Sequence, residues 1–319
     1  MTRRTRRLVT ALLLGVALYG VAIAYTGFRD IRDSLSAFRW GAFLAAVGLA
    51  STNYFLRFLR WDYYLKLLRV EGVDKSDSLL LFLSGFVLTI SPGKVGEVFK
   101  SAVLSQTHGV PIARTAPVVI AERLTDLIGV VALIFIGSVG FESGRDWALA
   151  GSVVIVCVLA MIMWERHIDA LLDWVERHPR LGHFTPKLRE AATSLRLLAG
   201  PSAILWPMVL SLAAWACEGI ALWVLLVGFG TRAPLLLSVF FYETASLAGA
   251  LIPIAGGLGV VEGMLREQLV RLGGVPSAVA TSSMILVRFA TLWWAVAVGF
   301  LALALLRSRY PKLRGVEAA

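Results

Sequence analysis

Two stretches of this chain place charged residues inside apolar sequence. In the first, "PGKVGEVFK" (92–100) interrupts an apolar run, and "AERLTD" (121–126) follows it. In the second, "GGLGVVEG" (256–263) is followed by Arg288. A charge at the centre of a membrane-spanning helix costs about 2.5–3.5 kcal/mol on insertion scales, so such residues usually line a substrate path or pair with one another. These residues are therefore the first candidates for function.

The two stretches are copies of one unit. A single alignment without gaps matches Glu97 with Glu262, Arg123 with Arg288, and Gly-Val-Pro at 109–111 with Gly-Val-Pro at 274–276. The spacing between the glutamate and the arginine is therefore the same in both copies. We predict an internal repeat, with copy one at about 79–140 and copy two at about 235–306.

Glycine, proline and basic residues in these stretches are the components of an anion-binding site. Pro92 suits the first turn of a helix, where its missing N–H is not needed, and nearby glycines let the backbone approach a ligand. Free N–H groups at a helix start attract anions, and arginine binds phosphate through paired hydrogen bonds. The predicted ligand is a phosphate or another anionic head group, and the predicted substrate-binding residues are Lys94, Gly93, Gly96, Gly257, Gly259, Arg123 and Arg288.

Four acidic residues are candidates for coupling or gating: Glu97, Glu262, Glu122 and Asp126. The simpler alternative is that each matched glutamate pairs with the matched arginine of its own copy and only fixes a helix position. Asp126 lies three residues after Arg123, on the same helix face, whereas copy two has Thr291 there. Glu218 and Glu243 stand alone in apolar sequence and are further candidates. Ligand binding, gating and structural pairing all stay open.

The composition indicates an integral membrane protein. Of the 319 residues, 58% are hydrophobic and 16% are charged, whereas soluble domains are nearer half apolar and a quarter charged. The net charge of +10 comes from short basic loops between apolar runs, as the positive-inside rule produces, so we do not expect nucleic-acid binding. The two cysteines and four histidines lack the spacing of a disulfide framework or a metal site, and no cofactor is expected.

Apolar runs of about the length that crosses a bilayer predict six full spans: 8–26, 41–59, 116–140, 148–164, 203–228 and 278–306. Two further apolar regions, 79–104 and 235–270, are broken near their middles by glycine and proline. The run 79–90 would extend about 18 Å as a helix, roughly half of the hydrocarbon core. We therefore predict an all-α membrane protein, a single domain over 1–319, with two re-entrant helical hairpins.

The distribution of basic residues predicts the orientation. The loops on one side carry 20 lysines and arginines, including Arg57 and Arg60, and the loops on the other side carry 6. This bias places both termini on the cytoplasmic side of the cytoplasmic (inner) membrane. The first hairpin then opens from the cytoplasm and the second from outside, so the copies are inverted. Inverted repeats with paired, interrupted segments are typical of transporters whose site lies at the membrane midplane.

Two further segments are open to more than one interpretation. The first 27 residues combine a basic start with an apolar run of about 19 residues, which favours a retained span over a cleaved signal peptide. Within 165–199, the residues Ile168, Leu171, Leu172 and Val175 fall on one helical face. This pattern predicts an amphipathic helix on the cytoplasmic interface, and a partner-docking site is the alternative.

At "PGKVGE", "AERLTD" and "PIAGGLGVVEG" the chain resembles the membrane region of bacterial lysylphosphatidylglycerol synthases, the flippase half of those enzymes. The resemblance runs over residues 8 to 306. It implies translocation of lipids, which range from aminoacylated phospholipids to other anionic or isoprenoid lipids. The soluble aminoacyl-transfer domain of the full-length synthases is absent from this sequence, so the resemblance does not imply synthase activity. Lys94 stands at a motif position that often holds arginine.

Together these features predict a flippase or transporter, not an enzyme, that moves an anionic, phosphate-bearing lipid of phospholipid or isoprenoid type. The alternative is a membrane-embedded transferase or hydrolase of a lipid head group, with Glu97, Glu122 and Asp126 as acid–base groups. No nucleophile–base pair accompanies these carboxylates. The expected partner is the membrane lipid, and a second copy of the chain or a lipid-synthesising enzyme are further candidate partners.

Overall fold

A computed structural model describes residues 15, 17–89, 96–138, 153, 185–252, 254–311 and 313, and every regular element in these ranges is a helix. In chain order the α-helices are α1 (Ala17–Thr26), α2 (Phe28–Ser36), α3 (Trp40–Leu67), α4 (Lys75–Ser84), α5 (Gly96–His108), α6 (Ile112–Thr115), α7 (Pro117–Ser138), α8 (Thr185–Ala199), α9 (Pro201–Gly228), α10 (Leu235–Leu251), α11 (Val260–Arg271), α12 (Ser277–Arg288) and α13 (Trp294–Arg309). Short helical turns of other types adjoin them: 3₁₀ turns at Gly85–Leu88 and Ala255–Gly257, and a π turn at Phe289–Trp293. The predicted all-α fold is confirmed.

In the described part of the chain, three helical stretches are long and apolar enough to cross a bilayer. They are α3, residues 202–228 of α9, and the stretch 277–309 in which α12, the π turn and α13 follow one another. The predicted spans 41–59, 203–228 and 278–306 lie in these stretches, so the protein is an integral membrane protein. α3 continues eight residues beyond the predicted end of its span.

α7 occupies the position of the predicted span 116–140 and differs from the three apolar stretches in its charges. Its 22 residues include Glu122, Arg123 and Asp126, all in its first half. Charges at these positions favour a bundle interior over lipid. The position of α7 in the membrane therefore depends on what these three side chains contact.

Several sequence predictions fall at or beyond the edges of the described residues. The predicted span 148–164 lies outside them apart from Val153, as does the apolar pattern at 168–175. α8 covers the last 15 residues of the predicted segment 165–199, and α1 covers the end of the predicted span 8–26.

Proline and aspartate residues begin several of these helices. Asp74 caps α4, and its carboxylate accepts a hydrogen bond from the Ser76 backbone N–H at 3.1 Å. The hydrogen bonds from the Ser76 hydroxyl and backbone hold the pKa of Asp74 below its ordinary value. Pro201 is the first residue of α9, a position where a missing N–H leaves no helical hydrogen bond unmade.

The helices of the two sequence copies correspond in order and begin at similar positions. In the alignment without gaps that matches the copies, α5 corresponds to α11, and α6 with α7 corresponds to the stretch from α12 to α13. The turn before each second helix is also the same. Gly109 and Gly274 have left-handed φ values of 71° and 61°, and Pro111 and Pro276 each precede the first helical residue. The two copies therefore share local backbone structure as well as sequence.

The break between α10 and α11 is built from glycines. Gly256, Gly257 and Gly259 have φ values of 62°, 65° and 89°, which residues with a side chain rarely adopt. The two helices approach each other closely here, because a methyl group at Gly249 would overlap Val261 Cγ2. Of the break in copy one, the structure describes the 3₁₀ turn at its start and Gly96 at its end.

Two large apolar cores of the described residues hold the helices together, and both contain residues of the two copies. The first surrounds Trp61, with Leu81, Phe82 and Leu104 among its buried members. The second is larger and includes Leu225 and the aromatic run Phe240, Phe241 and Tyr242. α9 packs against α3, α7, α10 and α12, so it joins the two copies.

Replacing Gly274 by alanine should lower the free energy of unfolding by about 1–2 kcal/mol, because an L-residue is strained at this φ. No atom lies within 4 Å of the added Cβ, so the cost comes from the backbone. Gly263, inside α11, has equally open surroundings and a helical backbone, and Gly263→Ala should stabilise by about 0.5–1 kcal/mol. Thermal unfolding in detergent measures both variants, and shifts of the same sign would contradict this account.

Candidate functional site

Three arginines surround the carboxylate of Asp126 between α3 and α7. Arg60 Nη1 donates a hydrogen bond to Asp126 Oδ1 at 2.6 Å. Arg123 Nη2 and Arg57 Nη2 lie 3.6 and 3.8 Å from Asp126 Oδ2. These four side chains, which we call the Asp126 cluster, together carry a net charge of +2. The cluster therefore attracts anions.

The inner part of the Asp126 cluster is fixed by further hydrogen bonds. Arg60 Nη1 also donates to Thr125 Oγ1 and to Ser211 Oγ, each at 3.0 Å. Ser211, on α9, donates in turn to Asp126 Oδ1 at 2.8 Å. Arg60 and Asp126 therefore tie α3, α7 and α9 together, and the geometry of this pair is structural.

The outer part of the Asp126 cluster, formed by Arg57 and Arg123, is more accessible than Arg60. Exposure of the arginine side chains rises from 2% at Arg60 to 17% at Arg57 and 35% at Arg123. Asp126 Oδ2, which faces the two outer arginines, receives no hydrogen bond from the described residues. The guanidinium of Arg57 lies over the ring of Trp215, 4.8 Å from its centroid. Two accessible guanidinium groups beside one weakly bonded carboxylate oxygen can bind a phosphate.

Glu122, one helical turn before Asp126, pairs with a lysine from α5. Lys100 Nζ donates to Glu122 Oε2 at 2.8 Å, and both side chains are almost fully buried. The ammonium also lies 4.7 Å from the ring centroid of Trp61 and 5.1 Å from that of Phe82. This pair joins α5 to α7 close to the Asp126 cluster, with its charge compensated inside the protein.

In copy two, the matched glutamate and arginine form an ion pair. Arg288 Nε donates to Glu262 Oε1 at 2.6 Å, and Arg288 Nη2 donates to the Gly256 carbonyl at 2.7 Å. The second oxygen of Glu262 accepts from the Gly259 N–H at 2.7 Å. These bonds connect the glycine break to α12. The N–H at the start of α11, which we predicted to bind substrate, is occupied by Glu262.

The predicted site residues are thus distributed between two locations. Arg123, Asp126 and Glu122 lie on α7 at the Asp126 cluster, while Arg288, Glu262, Gly257 and Gly259 lie together at the break in copy two. Gly93, Lys94 and the side chain of Glu97 lie outside the described residues, and Gly96 begins α5. The structure describes no contact between the two locations through these predicted residues.

The prediction that Arg57 and Arg60 lie in a cytoplasmic loop is wrong. We assigned them to a cytoplasmic loop, but both lie inside α3, and Arg60 is 2% exposed. Their partner Asp126 is 66 positions after Arg60 in the chain, so no local pattern reveals the pair. A usable signal was their spacing of three residues, which places both on one face of a helix.

The fold and the site define a helical membrane protein with a repeated, broken helical unit and ion pairs in its interior. The chain belongs to the family described as the lysylphosphatidylglycerol synthase TM region, whose model matches residues 9–299. This match confirms the resemblance found in the motifs. In the described residues, no group of histidine, cysteine, aspartate and glutamate side chains is arranged to hold a metal ion.

Three similar proteins are described as UPF0104 membrane proteins. A UPF0104 membrane protein of Methanothermobacter thermautotrophicus is 24% identical over 317 residues, covering 92% of this chain and 93% of the relative. A second protein of that name and organism is 24% identical over 264 residues, covering 76% and 77%. A relative from Methanocaldococcus jannaschii is 22% identical over 183 residues, covering 56% and 76%. The similarity to the first relative thus extends over nearly the whole of both chains.

Replacing Arg288 by alanine should lower the free energy of unfolding by about 3–5 kcal/mol, because the buried Glu262 carboxylate loses its partner. The double variant Arg288→Met/Glu262→Gln should recover most of this loss, since no buried charge remains. Chemical unfolding in detergent compares the two. Arg271→Ala is the control: it breaks an exposed pair with Glu267 and should cost about 1 kcal/mol or less. A double variant as unstable as Arg288→Ala would contradict the buried-charge explanation.

Proposed function

We propose that this protein is a lipid flippase or transporter that moves an anionic, phosphate-bearing lipid across the cytoplasmic membrane. The observation that carries the proposal is the Asp126 cluster, in which two accessible arginines face one carboxylate oxygen inside a membrane protein. Charged side chains in this setting are costly and usually mark a substrate path. Arg60 alone would neutralise Asp126, so the cluster keeps a net charge of +2 that a bound anion would compensate.

The chemistry of a phosphate head group suits this arrangement. A phosphate presents several oxygens at once, and each guanidinium can donate two parallel hydrogen bonds to such a group. The head group would bind Arg57 and Arg123 in place of their contacts with Asp126 Oδ2. Arg60, Thr125 and Ser211 would keep Asp126 in position meanwhile, because their bonds involve Oδ1 or Arg60 itself.

The repeat supports transport rather than a fixed binding site. Two units with corresponding helices and the same Gly-Val-Pro turn can exchange conformations if they face opposite sides of the membrane. The charge bias supports this opposed arrangement. After Arg57 and Arg60 are moved from the loop into α3, the basic residues still divide 18 to 6, which favours cytoplasmic termini.

An enzyme acting on the lipid head group is less well supported. Of the three carboxylates that this alternative names as acid–base groups, Glu122 and Asp126 are bonded to cations, which leaves neither of them free to transfer protons. Mass spectrometry of lipids recovered after incubation with the purified protein separates the two functions. Covalently changed lipid would favour the enzyme, and unchanged lipid agrees with transport.

The test of transport uses purified protein in liposomes that contain fluorescent lipids of both head-group classes, an anionic phospholipid and an isoprenoid phosphate. A quencher added outside reports how fast labelled lipid changes leaflet. We expect faster exchange of at least one anionic lipid than in protein-free liposomes, and little effect on a zwitterionic lipid with the same label. Exchange at the protein-free rate for every anionic lipid would contradict the proposal.

Arg123→Ala and Arg57→Ala should each slow exchange of the transported lipid by about tenfold to a hundredfold. This range corresponds to the loss of a charge-assisted hydrogen bond, about 1.5–3 kcal/mol. Arg123→Lys should restore only part of the rate, because lysine keeps the charge and lacks the fork. Arg271→Ala serves again as the exposed control. If Arg123→Ala exchanges lipid at the wild-type rate, the Asp126 cluster is not the head-group site.

A further inference from the structure

Glu243 lies in the middle of α10, fully buried, and neither of its carboxylate oxygens receives a hydrogen bond from the described residues. The other buried acids in the described chain all have donors. Glu122 pairs with Lys100, Asp126 with Arg60, and Glu262 with Arg288. Glu243 therefore differs in kind from the acids that hold helices together.

The surroundings of Glu243 are unfavourable to a charged carboxylate. α10 packs against α7, α9 and α11, and the charged groups near enough to act on Glu243 are Glu218, Arg57 and Asp126. Two of these are acidic. Burying a charge without a hydrogen-bonded partner is costly, and the usual outcome is that the group neutralises. A carboxyl group in this place is stable when it holds a proton.

The residue that aligns with Glu243 at the start of copy one is a serine. In the alignment without gaps that matches Glu97 with Glu262, Glu243 corresponds to Ser78. The Ser78 hydroxyl accepts a hydrogen bond from Trp61 Nε1 at 3.3 Å. A small, paired polar group fills the equivalent position there. The unpaired carboxyl of copy two is therefore a specific feature of that copy.

We propose that Glu243 is a proton-binding site and that the protein carries its anionic lipid together with a proton. The coupling rests on the proposed function, because it runs through the Asp126 cluster. α10, which carries Glu243, packs against α7, which carries Asp126 of that cluster, so an anion bound at Arg57 adds negative charge nearby and favours the protonated form of Glu243. By linkage, protonation of Glu243 favours anion binding to the same degree.

The first test measures proton binding without transport. Thermal unfolding in detergent is followed from about pH 5 to about pH 8 for wild type, Glu243→Gln and the exposed control Glu267→Gln. The folded protein keeps the Glu243 proton that the unfolded chain releases, so wild-type stability falls as pH rises. Relative to Glu243→Gln, the wild-type Tm should fall by about 2–4 °C per pH unit, and Glu267→Gln should follow wild type.

A difference between wild type and Glu243→Gln that does not change with pH would overturn the proton site. If the glutamine variant does not fold, Glu243→Leu answers the same question, because it removes the acid and leaves an apolar side chain of similar size. The same pH-dependent difference is expected for the leucine variant.

The second test measures coupling in the liposomes described above, with a pH difference imposed across the membrane. Acid on the side where the labelled lipid starts should speed wild-type exchange severalfold, whereas Glu243→Gln should exchange lipid at one rate with or without the gradient. Wild-type exchange that ignores the gradient would overturn coupling while leaving the flippase in place. If wild type moves no lipid at all, the flippase proposal fails, and the unfolding measurement still decides the proton site.

Discussion

The need to pair charges inside a membrane protein governs this structure. Each buried ion pair in the described part of the chain joins two different helices, and the Arg60–Asp126 pair alone brings α3, α7 and α9 to one point. Removing either partner leaves an uncompensated charge, which costs far more than the pair contributes. The apolar cores pack the helices, but the ion pairs specify which faces meet.

The paired charges are arranged differently in the two copies. In copy two, glutamate, arginine and the glycine break bond one another closely, and Arg288 is 6% exposed. In copy one, the equivalent arginine lies beside an aspartate that copy two lacks, at a distance of 3.6 Å and with a third of its side chain exposed. The same local backbone thus carries a closed charge cluster in copy two and an accessible one in copy one.

Much of this could be predicted from the sequence, for identifiable reasons. The helical fold and three of the spans could be predicted from the length of the apolar runs. The pairing of Glu262 with Arg288 was one of the alternatives that their matched spacing left open. Arg57 and Arg60 could not be placed, because hydropathy treats a charged residue as the end of a span, while their partner on α7 is remote in sequence. Glu243 is isolated because α7, α9 and α11, which pack against α10, supply no hydrogen-bond donor to its carboxyl group in the described residues. Only the packed structure reveals this.

The long separations within these pairs also bear on how the chain is made. Glu262 is synthesised well before Arg288, and Arg60 is synthesised 66 positions before Asp126. Each early charge therefore has no partner when its own segment leaves the ribosome. We therefore expect α3 to reach its final place only after α7 has followed it, and the glycine break of copy two only after α12. On this expectation, the early helices take provisional positions in the membrane that later segments make permanent.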